Sequence, residues 1–582
     1  MMQRIARQVA RARPTRNRRM SKRLLVGLGF ACCVVATAFA PEGRDLQGVV
    51  VQDPVQPNSW QQDPIGLGPA WGGGQPEGRN AVFATSDGCA RCHSAAPHSH
   101  AMRSPLGEDV SPHATWQATV MANSFRDPYW RAQVARECEL DPEGAAEVQA
   151  LCIRCHAPMH HHTRVLGGQP PTTIAEAAKD PLARDGVSCS MCHQIRARHL
   201  GEKTTFSGKP RIGRSRVIYG PYKDPDSGPM LGMSRYAAMH GEHISRSALC
   251  ATCHTLVTHH QGRRFPEQTP YFEWRNSIFS DEAGKTEQSQ TCQECHMANI
   301  GATRIARDPT GVDFMLKARD PYRAHAFVGG NAMLLEMLAD NRKLLGVKAS
   351  AEDLRKMARA TRRQLTTATV DVEISVVEHL DSELRFQVKV TNKTGHKFPT
   401  GYPARRAWLH VRIENENGTV FDCGGFTTDG EIVDVISAQD QPHITRIEAP
   451  DEVLIWELVP HDEDGDPTTA LTEMSMRGKD NRLLPKGWRP DGPHAKDTQP
   501  IGLGDDPDFV AGSDTVALAV PYAMNEPTAT VIAWVHYQPI PPHWVADLRD
   551  VDADECRTFI KIYDAADKTP ETVGAAVRIE RL

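Results

Sequence analysis

The spacing of apolar and polar side chains changes character several times along the chain, and each change marks a boundary. Leu24 to Ala40 is an apolar run preceded by Arg18, Arg19, Lys22 and Arg23. Residues 41–80 are rich in Pro, Gly, Gln and Asp with no apolar period, which predicts a flexible linker. From 81 to about 330 no helical or strand period is sustained, so loops and short helices are expected. Met333, Leu334, Met337, Leu338 and Leu345 then recur at helical spacing from Asn331, and Gly346 ends the run. A second helix is expected from Ser350, with Asp353 in the capping-box position and Leu354, Met357 and Leu365 on its buried side.

The period next falls to two. Val370, Val372, Ile374 and Val376 alternate with Asp371, Glu373 and Ser375, and Leu384, Phe386, Val388 and Val390 alternate with Arg385, Gln387 and Lys389. That pattern predicts a half-buried antiparallel hairpin. Further strand-like runs at 407–413, 452–459, 515–521 and 529–537 predict a β-sandwich. The expected class is α+β and multidomain. A mostly irregular and α domain over 81–330 is followed by a two-helix connector over 331–367 and a β-sandwich-like domain over 368–582 that packs on the first.

At 582 residues the chain is too long for one ordinary core. Ala36-Thr37-Ala38 offers a small-x-small cleavage site at the end of the first apolar run, so residues 1–40 are expected to be a signal peptide or an N-terminal anchor. The protein is then exported, to a periplasm or an equivalent compartment, and touches a membrane only through that segment. Without its first 40 residues, which hold nine basic and no acidic side chains, the formal charge moves from −5 to −14. So acidic a mature chain excludes nucleic acid as a partner. Aromatic content is only 6%, thin for a protein of this size, and something other than side chains is expected to fill part of the interior.

Five copies of Cys-x-x-Cys-His supply that something. They are Cys89–Cys92–His93, Cys152–Cys155–His156, Cys189–Cys192–His193, Cys250–Cys253–His254 and Cys292–Cys295–His296, and they use ten of the fifteen cysteines. Two thiols three positions apart suit the two vinyl groups of one haem, and the next residue is placed to ligate the iron. A zinc site or a redox dithiol would not need His after every second Cys. Five covalent haem c groups are expected, with His93, His156, His193, His254 and His296 as proximal ligands.

Second ligands are less directly readable. His98, His100, His160, His161 and His162 follow closely behind motifs. His113 precedes an apparent helix, and His240 and His243 lie just before the fourth motif. His325 stands directly before a helix, and His396 lies in a loop stiffened by Pro399 and Pro403 beside Gly395 and Gly401. His113, His240, His243, His325 and His396 are the candidate distal ligands, with Met121 and Met159 as possible Met ligands. Arg405 and Arg406 are candidate partners of haem propionates. Cys423 and Cys556, spare in an oxidising compartment, are expected to form a disulfide.

The stretches MANSFRDPYW (121–130), Ser247-Ala248-Leu249, FPEQTPYFEW (265–274), GHKFPTGYPARRAWLH (395–410), KDNRLLPKGW (479–488) and Tyr537-Gln538-Pro539 resemble the multihaem cytochrome c family with a cytochrome c-554-like haem domain. The resemblance covers roughly 110–545 and implies haem binding and electron transfer outside the cytoplasm. It also favours His325 and His396 as ligands. That family is related to a tetrahaem electron carrier of ammonia oxidisers, which has one haem fewer and lacks a β-domain of this size. Pentahaem nitrite reductases carry Lys in place of the motif His at the catalytic haem, whereas all five motifs here end in His. The expected function is an electron carrier between redox partner proteins of the cell envelope. The alternative is a haem oxidoreductase acting on a small nitrogen or sulfur oxyanion at one open-coordinate iron.

Overall fold

The computed structural model describes residues 78–581, apart from 261, 381, 434, 436–440 and 524–527. The expected signal peptide or anchor (1–40), and the linker up to residue 77, lie outside the described residues. Among the described residues no helix is long and apolar enough to cross a membrane.

The region without a sustained period is built of short helices joined by loops and by three two-stranded sheets (Val217–Gly220 with Ala237–His240, Leu256–His260 with Arg263–Gln268, Asn299–Thr303 with Arg319–Arg323). Its main elements are α1 (Ser86–His93), α2 (Pro112–Gln117), α3 (Pro128–Leu140), α4 (Ala145–His156), α5 (Pro158–Leu166), α6 (Cys189–Cys192), α7 (Ser247–Cys250), α8 (Pro270–Arg275) and α9 (Cys292–His296). Local chemistry fixes where several of them start. Asp127 accepts from the backbone N–H groups of Tyr129 and Trp130 at 2.9 and 3.2 Å, with Pro128 in the first helical position of α3. Thr291 and Glu294 form a reciprocal capping box around α9, which orients the fifth motif.

Beyond it, α10 (Ala332–Asp340) and α11 (Ala351–Ala368) pack on one another through Leu334, Leu335, Leu338, Leu354 and Ala358. Ser350 caps α11 as expected, accepting from Asp353 N at 3.0 Å. The expected helix over 331–345 is broken at Asn341, whose side chain donates to Met337 O at 3.0 Å, and Arg342–Leu345 forms a separate turn. The connector thus holds three helical pieces, not two.

Two five-stranded sheets follow. The first has the order β6-β8-β3-β1 with β2 beside β3, where β1 is Val370–Ile374, β2 Glu378–Leu380, β3 Glu383–Asn392, β6 Arg446–Ile447 and β8 Ser513–Pro521. The second has the order β5-β4-β9-β10 with β7 beside β4, where β4 is Arg406–Asn415, β5 Gly418–Cys423, β7 Ile455–Trp456, β9 Thr528–Gln538 and β10 Glu571–Arg581. Leu384, Phe386, Val388 and Val390 of β3 meet Val411, Ile413, Val531 and Val535 of the second sheet in one core. The hairpin is antiparallel, with Val372 opposite Val390, but it ends at Ile374 and Val376 is exposed.

A helix not expected from the sequence, α12 (Asp554–Ala565), places Phe559 and Tyr563 in a core shared with Tyr129 and Ala132 of α3. The β-rich region therefore packs directly on the motif-bearing one. The expected Cys423–Cys556 disulfide is not formed. The strand Cys423 sits in the sandwich core near Glu452 O, whereas Cys556 turns its thiol to Ala132 O at 3.4 Å in the core around α3.

Candidate functional site

A cavity of about 1670 Å³ runs through the motif-bearing region, and all ten motif thiols and all five motif imidazoles line it. Small-molecule pockets hold roughly 300–1,000 Å³, so this space exceeds what one ordinary ligand needs. The motif spacing explains the convergence. On a helical turn, residues i, i+3 and i+4 share a face, so a motif carried on such a turn presents both thiols and the imidazole to the same side. In α1, α4 and α9 the motif His is the last helical residue, and in α6 His193 follows directly as the cap.

Four of the five imidazoles are held in one orientation. Nδ1 of His93, His156, His193 and His296 lies 2.8, 2.9, 2.7 and 2.6 Å from the carbonyl oxygens of Ile305, Ser124, Tyr219 and Val328. An Nδ1–H donated to a carbonyl fixes the neutral tautomer and leaves Nε2 with its lone pair, as a metal ligand requires. Burial lowers His93 and His193 and pushes His156 and His254 down to about 4, which keeps the rings unprotonated at neutral pH.

Thiols of different motifs lie close enough to act on one another electrostatically: Cys89 on Cys189, Cys155 on Cys253, and Cys250 on Cys292. Cys192 also lies within the electrostatic reach of Cys253. The fourth motif therefore sits among the second, third and fifth, and the first reaches the rest through the third.

Two of the candidate distal imidazoles face motif imidazoles. His325 lies opposite His193, with 6.2 Å between ring centroids and 27° between planes. His396 lies opposite His296 at 6.4 Å and 10°. Two metal–nitrogen bonds of about 2.0 Å, plus ~1.1 Å from each ring nitrogen to its centroid, put centroids about 6.2 Å apart across one metal. Both pairs fit a bis-imidazole iron. Nδ1 of His325 lies 3.2 Å from Arg323 O and Nδ1 of His396 lies 2.8 Å from Lys397 O, which repeats the tautomer pattern of the motif imidazoles.

The His396 loop is fixed by a buried charge network. Glu273 of α8 accepts from Lys397 N at 3.0 Å and from the Thr400 hydroxyl at 2.6 Å. Lys397 Nζ and Asp480 pair at 2.8 Å with both side chains fully buried, and Arg482 donates twice to Asp480 at 2.7 and 2.9 Å. Gly395 packs closely, since a Cβ there would lie 3.2 Å from the Trp274 ring and the ring would have to give way.

The other candidates separate. His113 lines the cavity from α2, which packs on α1 of the first motif, and its Nε2 is buried without a hydrogen-bond partner. His240 and His243 lie outside the lining. His243 Nε2 is 2.8 Å from Ile195 O, and that contact engages this ring nitrogen. Arg405 lines the cavity and donates to Thr400 O at 2.7 Å. Arg406 does not line it. As the first residue of β4 it points to the opposite side from Arg405, is 1% exposed, and donates from Nε to Gln538 at 2.9 Å. Met121 lines the cavity, whereas Met159 is packed with Val82, Phe83 and Met191. His160 is tied to Asp180 at 2.6 Å and His100 to Asp313 at 3.3 Å.

Sequence reasoning passed over the polar wall of the cavity near Cys152, made by Tyr129, Gln133, Glu137, Glu267 and Tyr402. These residues come from three separate segments, α3, the stretch around Glu267 and the loop before β4, and carry no shared motif.

No protein-family model matches the chain, and no curated protein matches it. Among solved structures, a penta-heme cytochrome c552 from Thermochromatium tepidum is similar over 87% of this chain and 100% of its own, with 14% identity and a TM-score of 0.47.

Proposed function

We propose that this chain is an exported pentahaem c-type cytochrome that carries electrons between redox proteins of the cell envelope. The observation that carries this reading is the convergence of all five Cys-x-x-Cys-His motifs on one cavity. The facing pairs His193–His325 and His296–His396 support it by their spacing.

Each haem, when bound, supplies an iron that gains and loses one electron reversibly. The chain's residues do the rest. Ten thiols tether five macrocycles as thioethers, and five imidazoles present Nε2 from one side. The Nδ1 contacts to Ile305, Ser124, Tyr219 and Val328 hold those rings in place, which raises their basicity as ligands. His325 and His396 would be the second ligands of the haems held by the third and fifth motifs, and His113 is the candidate for the first. The closeness of the motif thiols would make the attached haems neighbours, with the fourth motif as the junction. Arg405 stands at the cavity wall as a partner for a propionate. Export follows from the basic and apolar N-terminal pattern, and thioether attachment suits an exported protein.

The test is the pyridine haemochrome content per chain together with the intact mass of the mature protein. Five haems are expected. A chain bearing zinc and no haem refutes the reading. An electron paramagnetic resonance spectrum with a stoichiometric high-spin iron moves the assignment to the oxidoreductase alternative.

A further inference from the structure

Glu137 and Glu267 lie in the cavity wall beside Cys152, and carrying electrons through the motifs requires neither carboxyl. They are 1% and 4% exposed and act on each other electrostatically. Their surroundings differ. Glu137 accepts from Leu471 N at 2.8 Å, from Thr472 N at 2.9 Å and from the Thr472 hydroxyl at 2.8 Å, with Arg136 nearby. Three donors and a guanidinium stabilise its carboxylate. Glu267 accepts one long bond, 3.3 Å from Gln268 Nε2. A buried carboxyl that has few donors and a carboxylate acting on it resists ionising, so of the two Glu267 is the one to hold the proton.

The rest of this wall is neutral and polar. The Tyr402 hydroxyl is buried with no hydrogen-bond partner, its ring edge-on to Tyr129 at 6.0 Å. Gln133 donates to the Tyr129 hydroxyl at 2.9 Å and leaves its own carbonyl oxygen without a partner. Burial raises both tyrosines, so they remain protonated. Glu267 therefore faces Glu137 from α3, Tyr402 from the loop before β4 and the Cys152 thiol from α4.

We propose that Glu267 is a redox-linked proton site, taking up one proton from solvent for each electron delivered to the haem attached at Cys152 and Cys155. This rests on the haem-carrying function above. The electron comes from a one-electron donor, such as a reduced haem protein, and the proton from water. Reduction forms one O–H bond on Glu267, oxidation breaks it, and the added negative charge is cancelled within the cavity. Burial together with the neighbouring Glu137 pushes Glu267 up to about 7, so the group changes state in the neutral range.

The test is a spectroelectrochemical titration of the holoprotein across neutral pH, with infrared difference spectra of the reduced and oxidised forms. Above about pH 7 the oxidised protein has lost the proton and the reduced protein keeps it. One potential is expected to fall as pH rises, by about 59 mV per tenfold change in proton activity for one proton per electron. A protonated-carboxyl band should appear on reduction. Glu267→Gln should abolish both signals, and Glu267→Asp should retain them. A slope that persists in Glu267→Gln overturns the assignment. Five attached haems with potentials indifferent to pH overturn this inference alone, and a chain without haem overturns the function with it.

Discussion

His296 and His396 face each other ring to ring, 6.4 Å between centroids and 10° between planes. One closes the fifth motif and the other belongs to the loop that enters β4. The β-rich region thus places an imidazole opposite the one that α9 presents. Glu273 holds the two sides together by accepting from Lys397 N and Thr400.

Removing the distal imidazole isolates this relationship. His396→Ala is expected to keep five attached haems, because no thiol is touched, while converting one low-spin iron to high-spin and opening it to carbon monoxide. His325→Ala should do the same at the third motif, where the facing ring is His193 at 6.2 Å. The two changes should add in the double variant, since the imidazole pairs are separate. An unchanged spectrum in either variant removes that residue from the ligand set.

The buried network behind His396 makes a stability prediction. Asp480 is flanked by Lys397, Arg477 and Arg482, all buried or nearly so. Asp480→Asn leaves two or more cations uncompensated and should destabilise the fold by about 3–5 kcal/mol in denaturant unfolding. The cations hold the Asp480 carboxyl far below the usual carboxylate range, against the opposing effect of burial. A depressed folded pKa gives stability that is present above about pH 4, the unfolded value, and is lost as pH falls. The wild type should therefore lose stability on acidification more steeply than the variant.

Much of this was legible in the chain because particular residues constrain it locally. The Cys-x-x-Cys-His spacing carries its own geometry, and the alternation of Leu384, Phe386, Val388 and Val390 fixes which face of β3 is buried. Glycine and proline around His396 marked a loop built to aim a side chain. Strand β10 escaped notice because Val577 and Ile579 point outward, 62% and 67% exposed, so its apolar positions do not report burial. His240 and His243 lie outside the cavity lining, because nearness to a motif in sequence says nothing about the direction of a ring. The run over 452–459 splits into short strands that pair with different partners, β4 for Ile455–Trp456 and Met476–Asp480 for Leu458–His461. Glu137 and Glu267 meet only through tertiary packing.

The start of α3 offers a test of local structure coupled to the site. Its Asp127 cap precedes Trp130, which stacks on the His156 ring at 4.2 Å and 5°. Asp127→Ala should cost about 1 kcal/mol, the usual worth of such a cap. Asp127→Asn keeps an acceptor for Tyr129 and Trp130, and it removes a carboxyl that burial pushes up to about 6. It should be at least as stable as the wild type at neutral pH. Equal losses in both variants would mean that the charge, not the acceptor, matters.

Gly208 lies between the second and fourth motifs, and its lack of a side chain is a packing requirement. Its φ is +72°, a region where a Cβ is strained, and a Cβ would lie 2.7 Å from Arg154 Cβ and 3.0 Å from Cys155 Sγ. Its N–H donates to Thr252 O at 2.7 Å, so the backbone cannot retreat without breaking its tie to the fourth motif. Gly208→Val must therefore displace the turn of α4 that carries Arg154 and Cys155. The expected result is incomplete attachment at the second motif, with the intact mass shifting from five haems toward four. Overpacking should also lower stability by about 1–3 kcal/mol. Gly107→Val is the matched control, since Gly107 has the same left-handed backbone, φ +80°, but open space around it. It should bear the backbone strain and still carry all five haems. If both variants lose a haem equally, the effect is backbone strain in general and the contact with Cys155 is irrelevant.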